Sequence, residues 1–369
     1  MHPIASPTVD VSVLVPVLNE GSTIREVVQA MAAQELDGTV EFLLADGRSS
    51  DDTRAQLETL ARADDRIALL DNPRRGTASG LNVCLAAARG EYVARMDAHA
   101  IYPPSYLQSG INRLRRGDVA WVAGPQTPQP RGRVSGAIAS ALGTRLGRGA
   151  SRRWSGEKGD SGEYDLDTGV FCGVWRREDL LAHGGWDEDW PRNQDSELAA
   201  RFLDAGQRIV CVPAMAAGYV PRDSLGGLWR QYRGYGAYRA KTAGRHPRSL
   251  RRSAVLPPLL VIDATLAVAA PGRLRRLARV GVGSYVAALI AATAETARKE
   301  GRPDPLVPVV LATMHVAHGV GFLEGCRRWG IPWQALQRVA GGRTREAPYR
   351  GPIHAPSLHA EREQPRTRA

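Results

Sequence analysis

Cysteine is sparse in this chain of 369 residues: Cys84, Cys172, Cys211 and Cys326 stand far apart. No C-x-x-C pair occurs, which excludes the usual spacing of a structural zinc site, and the four positions outline no disulfide framework. A reducing, cytoplasmic setting is the simplest expectation. Lysine is scarcer still, with only Lys158, Lys241 and Lys299 against many arginines in a chain of net charge +11. The arginines are spread along the sequence and accompany no DNA- or RNA-reading motif, so no nucleic-acid partner is expected. A G-x-G-x-x-G fingerprint is missing after the first apolar run, which removes the main support for an NAD-type site. Met1 to Asp10 lacks the basic-then-apolar pattern of a secretory signal, so none is expected.

What is present suits a folded protein with a sizeable core: 43% hydrophobic and 24% charged residues. The length predicts one large domain with additions, or two domains. A basic surface favours anionic partners such as nucleotide phosphates or lipid headgroups. From Val11 onward, short apolar runs alternate with helical patterns. Val11 to Pro16, Val40 to Ala45, Ile67 to Leu70 and Tyr92 to Met96 read as strands, with helical periodicity through Ile24, Val27, Val28 and Met31, through Ala55, Leu57 and Leu60, and from Leu81 to Ala88. This alternation predicts an α/β fold, a mainly parallel sheet with helices on both faces and functional loops at its carboxyl edge.

Two carboxylates stand out on chemical grounds. Asp97 ends an apolar strand and His99 follows two residues later, so on extended backbone both leave the same face. An oxygen and an imidazole nitrogen so placed suit a divalent cation held against a diphosphate. Asp195 falls at the start of a helical pattern running through Leu198, Ala199 and Phe202. There the helix dipole favours its charged form, the form a general base needs.

Several runs together carry a family resemblance: Val11 to Glu20 (VSVLVPVLNE), the D-G-x-S-x-D-x-T loop from Asp46 to Thr53, G-x-x-x-G-L-N from Gly76 to Asn82, and R-x-D-A-H from Arg95 to His99. In this order they resemble the family 2 glycosyltransferases, and more narrowly the succinoglycan-type branch of exopolysaccharide transferases. The resemblance extends through Arg252 and more weakly to Gly325. It implies a GT-A fold and an enzyme that transfers a sugar from a nucleotide diphosphate, usually with inversion. Matched residue by residue, it implies nucleotide or donor contacts at Pro16, Asn19, Glu20, Asp46, Gly76, Asn82, Arg95 and Asp97. The family's Asp-x-Asp becomes Asp97 and His99, which implies a metal site in which Mn²⁺ suits the imidazole better than Mg²⁺. The family's Glu-Asp becomes Gln194-Asp195, with Asp195 as the base. Trp229 to Gly236 is similar to the Q-x-x-R-W segment of processive members, but Gly234 and Tyr235 replace its Arg and Trp. That departure implies addition of one sugar. Asp167, Gln194, Gln231, Arg233 and His246 remain as candidates for acceptor or diphosphate contacts.

Beyond residue 250, apolar stretches at Ala254 to Ala270, Val280 to Ala294 and Leu306 to Phe322 are separated by arginine-rich segments. None is a clean run of about 20 apolar residues, and basic flanks suit association with an anionic leaflet. The expected organisation is a disordered N-terminus at 1–10 and a catalytic domain at 11–250, with a nucleotide-sugar half at 11–124 and an acceptor half at 125–250. An apolar helical region at 251–335 and a basic disordered tail at 336–369 follow. The expected activity is metal-dependent, inverting transfer of one sugar from a UDP- or GDP-linked donor to a polyprenyl-linked or saccharide acceptor. It would occur at the cytoplasmic face of a bacterial membrane, in envelope or exopolysaccharide synthesis. Two alternatives are a catalytically silent, nucleotide-binding membrane scaffold and a sugar nucleotidyltransferase. The latter calls for a Gly-rich basic loop where this chain has Val17-Leu18-Asn19-Glu20.

Overall fold

The structure, a computed structural model, describes residues 9–149, 162–170 and 172–341. In chain order its elements are β1 (Val11–Val17), α1 (Ile24–Ala32), β2 (Val40–Asp46), α2 (Thr53–Ala63), β3 (Ile67–Asp71), α3 (Thr77–Ala87), β4 (Tyr92–Arg95), β5 (Ala100–Ile101), α4 (Tyr106–Leu114) and β6 (Trp121–Ala123). There follow β7 (Gln126–Pro128), α5 (Arg133–Leu142), α6 (Arg145–Arg148), β8 (Tyr164–Asp165), β9 (Gly173–Arg176), α7 (Arg177–Ala182), α8 (Gln194–Asp204), β10 (Ile209–Cys211) and β11 (Ala217–Tyr219). The chain ends in helices α9 (Leu225–Arg245), α10 (Arg252–Ala269), α11 (Gly272–Glu300), α12 (Leu306–Trp329) and α13 (Trp333–Val339).

The chain forms two compact units. The first comprises residues up to Gly124 and the return segment through Ala217; the second comprises the segment from Pro125 and everything described from Gly218 onward. These units do not follow the linear halves 11–124 and 125–250, because β8, β9 and β10 come back to complete the first unit's sheet.

That sheet has eight strands in the order β3-β2-β1-β4-β9-β6-β10-β8. β3, β2, β1 and β4 are mutually parallel; β9 runs against both β4 and β6, and β8 runs against β10. The result is the mainly parallel mixed sheet that the strand–helix alternation implies. β1 is buried on both faces, as a central strand covered by helices must be, and its one hydroxyl, Ser12 Oγ, donates to Glu41. Pro16 cannot donate a ladder hydrogen bond, and it lies beyond Leu14, the last β1 residue paired with β4. Helix α1 buries Ile24, Val28 and Met31, the stripe spaced by four and three residues, and leaves its polar face in water. A cluster of rings closes the core: Trp121 lies 4.9 Å from Trp175, and Trp175 lies 5.7 Å from Trp186. Gly173 is required there, since a Cβ would fall 2.1 Å from Trp121 Nε1. Burial pushes the thiols of Cys84 and Cys172 up to about 12, which makes them packing residues and poor nucleophiles.

The second unit is helical, and its spine is the pair α9 and α12. Glycines let the two backbones touch: a Cβ on Gly321 would lie 1.9 Å from the Arg233 carbonyl oxygen, and one on Gly325 would lie 2.5 Å from that of Ala237. The expected tail at 336–369 needs correction at its start. Residues 336–339 belong to α13, where Ala335 is fully buried and Arg338 donates to the carbonyls of Pro247, Arg248 and Leu250. Polar composition hid those few anchors. Residues 1–8 and 342–369 lie outside the described residues, as do Arg152, Arg153 and Lys158.

Candidate active site at the carboxyl edge of the sheet

Because β1, β2 and β4 run parallel and in register, their carboxyl ends deliver Asn19 and Glu20, Asp46, and Asp97 to one edge. Asp46 ends β2 and is almost fully buried. Its Oδ1 accepts hydrogen bonds from Ser49 Oγ at 2.7 Å and Ser49 N at 3.2 Å, and Arg54 approaches Oδ2 at 3.5 Å. The loops after β1 and β2 are sewn together. Asn19 N donates to Ser49 Oγ (2.9 Å), Ser50 N donates to Asn19 Oδ1 (2.8 Å), and Glu20 N donates to Thr53 Oγ1 (2.8 Å). The spacing of the D-G-x-S-x-D-x-T run thus has a local cause: each polar residue satisfies a backbone group of a turn.

At the end of β4, Arg95 organises the charge. Its Nε and Nη2 donate to the two oxygens of Asp97 at 2.7 and 2.9 Å, and its Nη1 donates to Asp195 Oδ1 at 2.5 Å. The three side chains are 3%, 9% and 18% exposed, so this is a buried charged triad. Burial works to lower the Arg95 pKa, but the carboxylates of Asp195 and Asp97 more than offset it, and the guanidinium is held firmly charged. The Asp97 backbone N–H donates to the hydroxyl of the half-buried Tyr102 (2.7 Å). His99 Nδ1 lies 3.2 Å from Glu20 Oε1. That contact raises the imidazole pKa; partial desolvation of the exposed ring opposes the shift and the nearby Asp97 carboxylate adds to it. Asp195 sits one residue inside α8, after Asn193 in left-handed conformation (φ 58°).

Other sequence candidates are placed differently. Asn82 is buried in α3 with its amide turned inward. Nδ2 donates to the Trp186 carbonyl (2.8 Å) and to Glu188 Oε1 (3.1 Å), while Oδ1 accepts from Trp186 N (2.9 Å). It pins the Gly184 to Glu188 loop, which Arg74 also holds through Glu188 Oε2 at 2.7 Å. Gly76 is the N-cap of α3, and its carbonyl accepts from Asn72 Nδ2 and Ser79 Oγ. Asp167 is exposed, and Gln194 begins α8. Gln231, Arg233 and His246 belong to the second unit. Gln231 donates to the hydroxyls of Tyr219 and Tyr235, and Arg233 makes two 2.8 Å bonds to Glu324. His246 is fully buried at the end of α9, which removes it as a surface contact. Sequence reasoning missed Tyr102, Arg54 and Arg74; only the Arg-x-Asp spacing of Arg95 and Asp97 hinted at the triad.

A mainly parallel mixed sheet presenting acidic residues at its carboxyl edge is a ligand-binding α/β fold of the kind that holds nucleotides. The sequence profile described as Glycosyl transferase family 2 matches residues 12–182. The succinoglycan biosynthesis protein ExoA of Rhizobium meliloti is 32% identical over 319 residues, covering 84% of this chain and 93% of that protein. The chain therefore belongs to the family 2 glycosyltransferases, and it is a glycosyltransferase. A shorter match, 30% identical over 115 residues (31% of this chain, 44% of the relative), is the UDP-Glc:alpha-D-GlcNAc-diphosphoundecaprenol beta-1,3-glucosyltransferase WfgD of Escherichia coli. Among solved structures, the mannosyltransferase PcManGT of Pyrobaculum calidifontis, in complex with GDP-Man and Mn²⁺, superposes with a TM-score of 0.54 at 21% identity, covering 89% of each chain. That likeness establishes the GT-A fold. Family membership sets aside the nucleotidyltransferase reading.

Proposed function

We propose that the chain transfers a single sugar, with inversion, from a nucleotide diphosphate sugar to a lipid-linked or saccharide acceptor in exopolysaccharide or envelope synthesis. It does so at the cytoplasmic face of the membrane. The observation that carries this reading is that one guanidinium joins Asp97, at the end of β4, to Asp195, at the start of α8. The similarity to ExoA supports the class of product, and that to WfgD supports a lipid-linked acceptor.

The loops of Asn19 to Glu20 and Asp46 to Thr53 hold the nucleotide, with Asp46 receiving its base. Asp195 accepts the proton of the acceptor hydroxyl as that oxygen bonds to the anomeric carbon. The bond from that carbon to the diphosphate oxygen breaks, and its electron pair leaves with the nucleoside diphosphate. Attack from the face opposite the leaving group inverts the centre. Arg95 fixes Asp195 in the position from which it takes the proton and, being held charged, adds positive potential at the site.

A divalent cation fits the donor set. Among the described residues no three His, Cys, Asp or Glu side chains form a closed metal cage. Both Asp97 oxygens accept from Arg95, so a cation would share that carboxylate with the guanidinium. Asp97 and His99 would hold it, with Glu20 orienting the imidazole through Nδ1. The mixed oxygen and nitrogen donors favour Mn²⁺ over Mg²⁺. When bound, such a cation neutralises charge developing on the leaving diphosphate.

Calorimetric titration with UDP- and GDP-sugars, in Mn²⁺ and in Mg²⁺, identifies the donor. With that donor, Asp195→Asn is expected to bind nearly as tightly as the parent while turnover falls roughly a hundredfold or more. Weakened binding with normal turnover would remove Asp195 from the role of base.

A further inference from the structure

The strand that delivers Asp97 and His99 stops before it reaches them. β4 ends at Arg95, and Met96 N still donates to the Leu14 carbonyl of β1 at 3.2 Å. Beyond that bond the chain turns through Ala98, with Ala100 N donating back to the Asp97 carbonyl (3.2 Å). The Asp97 N–H is left outside the strand ladder, although the residue is only 7% exposed. A buried backbone donor without an acceptor is costly, so a side chain has to supply one. Tyr102 does: its hydroxyl accepts the Asp97 N–H at 2.7 Å.

Tyr102 can hold the turn because it is itself held. Pro103 and Pro104 follow it, and a residue before proline is confined to extended backbone. The two proline carbonyls are tied to the chain just after α1, Pro103 accepting from Gln34 Nε2 (2.8 Å) and Pro104 from Glu35 N (2.9 Å). The Tyr102 ring lies edge-on to that of Tyr106, with centroids 4.8 Å apart, and Tyr106 is fully buried at the start of α4. Desolvation, and after it the Asp97 carboxylate, push the Tyr102 phenol well above its ordinary pKa. The hydroxyl therefore stays protonated and meets Asp97 as a neutral acceptor.

Three contacts fix the turn from three directions. Arg95 holds the Asp97 carboxylate, Glu20 holds the His99 ring, and Tyr102 holds the backbone. Of these, the Tyr102 bond alone acts on the main chain that carries both side chains. Releasing it frees the peptide ahead of Asp97 to rotate, which shifts Asp97 and His99 relative to each other. We propose that Tyr102 is a positioning residue for donor binding: its hydroxyl sets the spacing of Asp97 and His99 for a cation held against a diphosphate, without touching either. This rests on the reading of Asp97 and His99 as cation ligands given above, and the experiment separates the two.

Tyr102→Phe is compared with Tyr106→Phe in the full chain. Each removes one hydroxyl from one of two adjoining rings. The Tyr106 hydroxyl finds no hydrogen-bond partner among the described residues, with only the Cys172 thiol beside it, so its loss controls for ring packing. Mn²⁺ affinity is read by electron paramagnetic resonance with UDP and, in parallel, with GDP. Tyr102→Phe should weaken it roughly tenfold or more, the scale on which outer contacts to metal ligands act, and raise the donor KM with a smaller change in kcat. Tyr106→Phe should leave both unchanged. Amide exchange without cation or nucleotide reads the contact itself: residues 97–100 should exchange faster in Tyr102→Phe alone. Parent-like Mn²⁺ affinity in Tyr102→Phe, unchanged exchange at 97–100, or an equal loss in Tyr106→Phe would overturn the inference. A parent chain that binds no Mn²⁺ with either nucleotide would refute the cation reading of Asp97 and His99, and the role of Tyr102 with it.

Discussion

Replacing Arg95 by Met tests the charged triad most directly, because the substitution keeps much of the side-chain volume and removes only the cation. The parent guanidinium makes three charge-assisted hydrogen bonds to two carboxylates that are 9% and 18% exposed. Removing one partner of a buried charged group costs about 3–5 kcal/mol, since the desolvated charge left behind is uncompensated. For a unit of this size each kcal/mol lowers Tm by about 2–4 °C, so a fall of roughly 6–20 °C is expected. The buried Trp121, Trp175 and Trp186 report on the first unit by fluorescence, once the signal of Trp229, Trp329 and Trp333 in the second unit is removed by substitution to Phe. Adding Asp97→Asn to Arg95→Met should recover part of the loss, because it removes a largely buried charge that the guanidinium had compensated. Arg95→Lys should fall between, keeping the charge without the fork that reaches three oxygens. A cost below about 1 kcal/mol for Arg95→Met, or no recovery with Asp97→Asn, would refute the triad as a structural strut. Arg95 would then return to the role of a donor contact that binding studies should reveal.

Stability of the first unit should also fall on acidification through His183, which stacks on Phe202 at 3.9 Å. Burial lowers its pKa below the ordinary 6.5; the Asp179 carbonyl opposes this and Arg201 adds to it. The folded state then holds fewer protons than the unfolded chain. The contribution is complete above 6.5 and is lost as pH falls through 6.5 toward the lower folded value. Urea midpoints compared at about pH 7.5 and 5.5 should show a larger drop in the parent than in His183→Gln, and an equal drop would contradict the assignment. In the second unit, Gly321→Ala places a Cβ 1.9 Å from the Arg233 carbonyl oxygen, a clash with backbone that cannot swing away. Circular dichroism should record a loss of about 2–3 kcal/mol; a neutral result would mean that α12 is not seated on α9.

The order of strands and helices through α3 was legible because apolar period and turn residues agree at every step, from the β1 run to the capless glycine start of α3. Asp46 and Asp97 were legible for the same reason: each follows an apolar strand, and parallel strands bring their ends to one edge. Contacts that span the chain were not. Asn82 looks like a helix-start amide until Trp186, far along the sequence, supplies the backbone groups it binds. Arg95 shows its neighbour Asp97 by spacing, but nothing local points to Asp195. The apolar helices were read short because hydropathy falls at arginine. Arginine is nevertheless a good helix former, so α11 begins at Gly272 and runs through the basic segment that hydropathy excludes. The reverse error occurs in α13, where a polar composition conceals a helix held by Ala335 and by one arginine on three carbonyls.

Backbone strain gathers at the loops around the candidate site. Among the described residues four that are not glycine have positive φ: Asn19 (55°), Arg48 (55°), Arg75 (61°) and Asn193 (58°). Such conformations cost on the order of 1–3 kcal/mol each, least for Asn, and persist only where neighbours over-determine them. Here the neighbours are visible: Ser50 N on Asn19 Oδ1, Ser49 N on Asp46 Oδ1, and Gly47, whose Cβ would crowd the Val17 carbonyl at 3.3 Å. The first three follow β1, β2 and β3, and the fourth precedes α8. Each therefore aims one of the loops that carry Glu20, Asp46, Gly76 or Asp195. A fold under selection for stability alone would place glycine at Arg48 and Arg75, where it adopts positive φ without strain. Arg48 and Arg75 instead carry that strain on exposed loops at the carboxyl edge of the sheet, beside the proposed donor site.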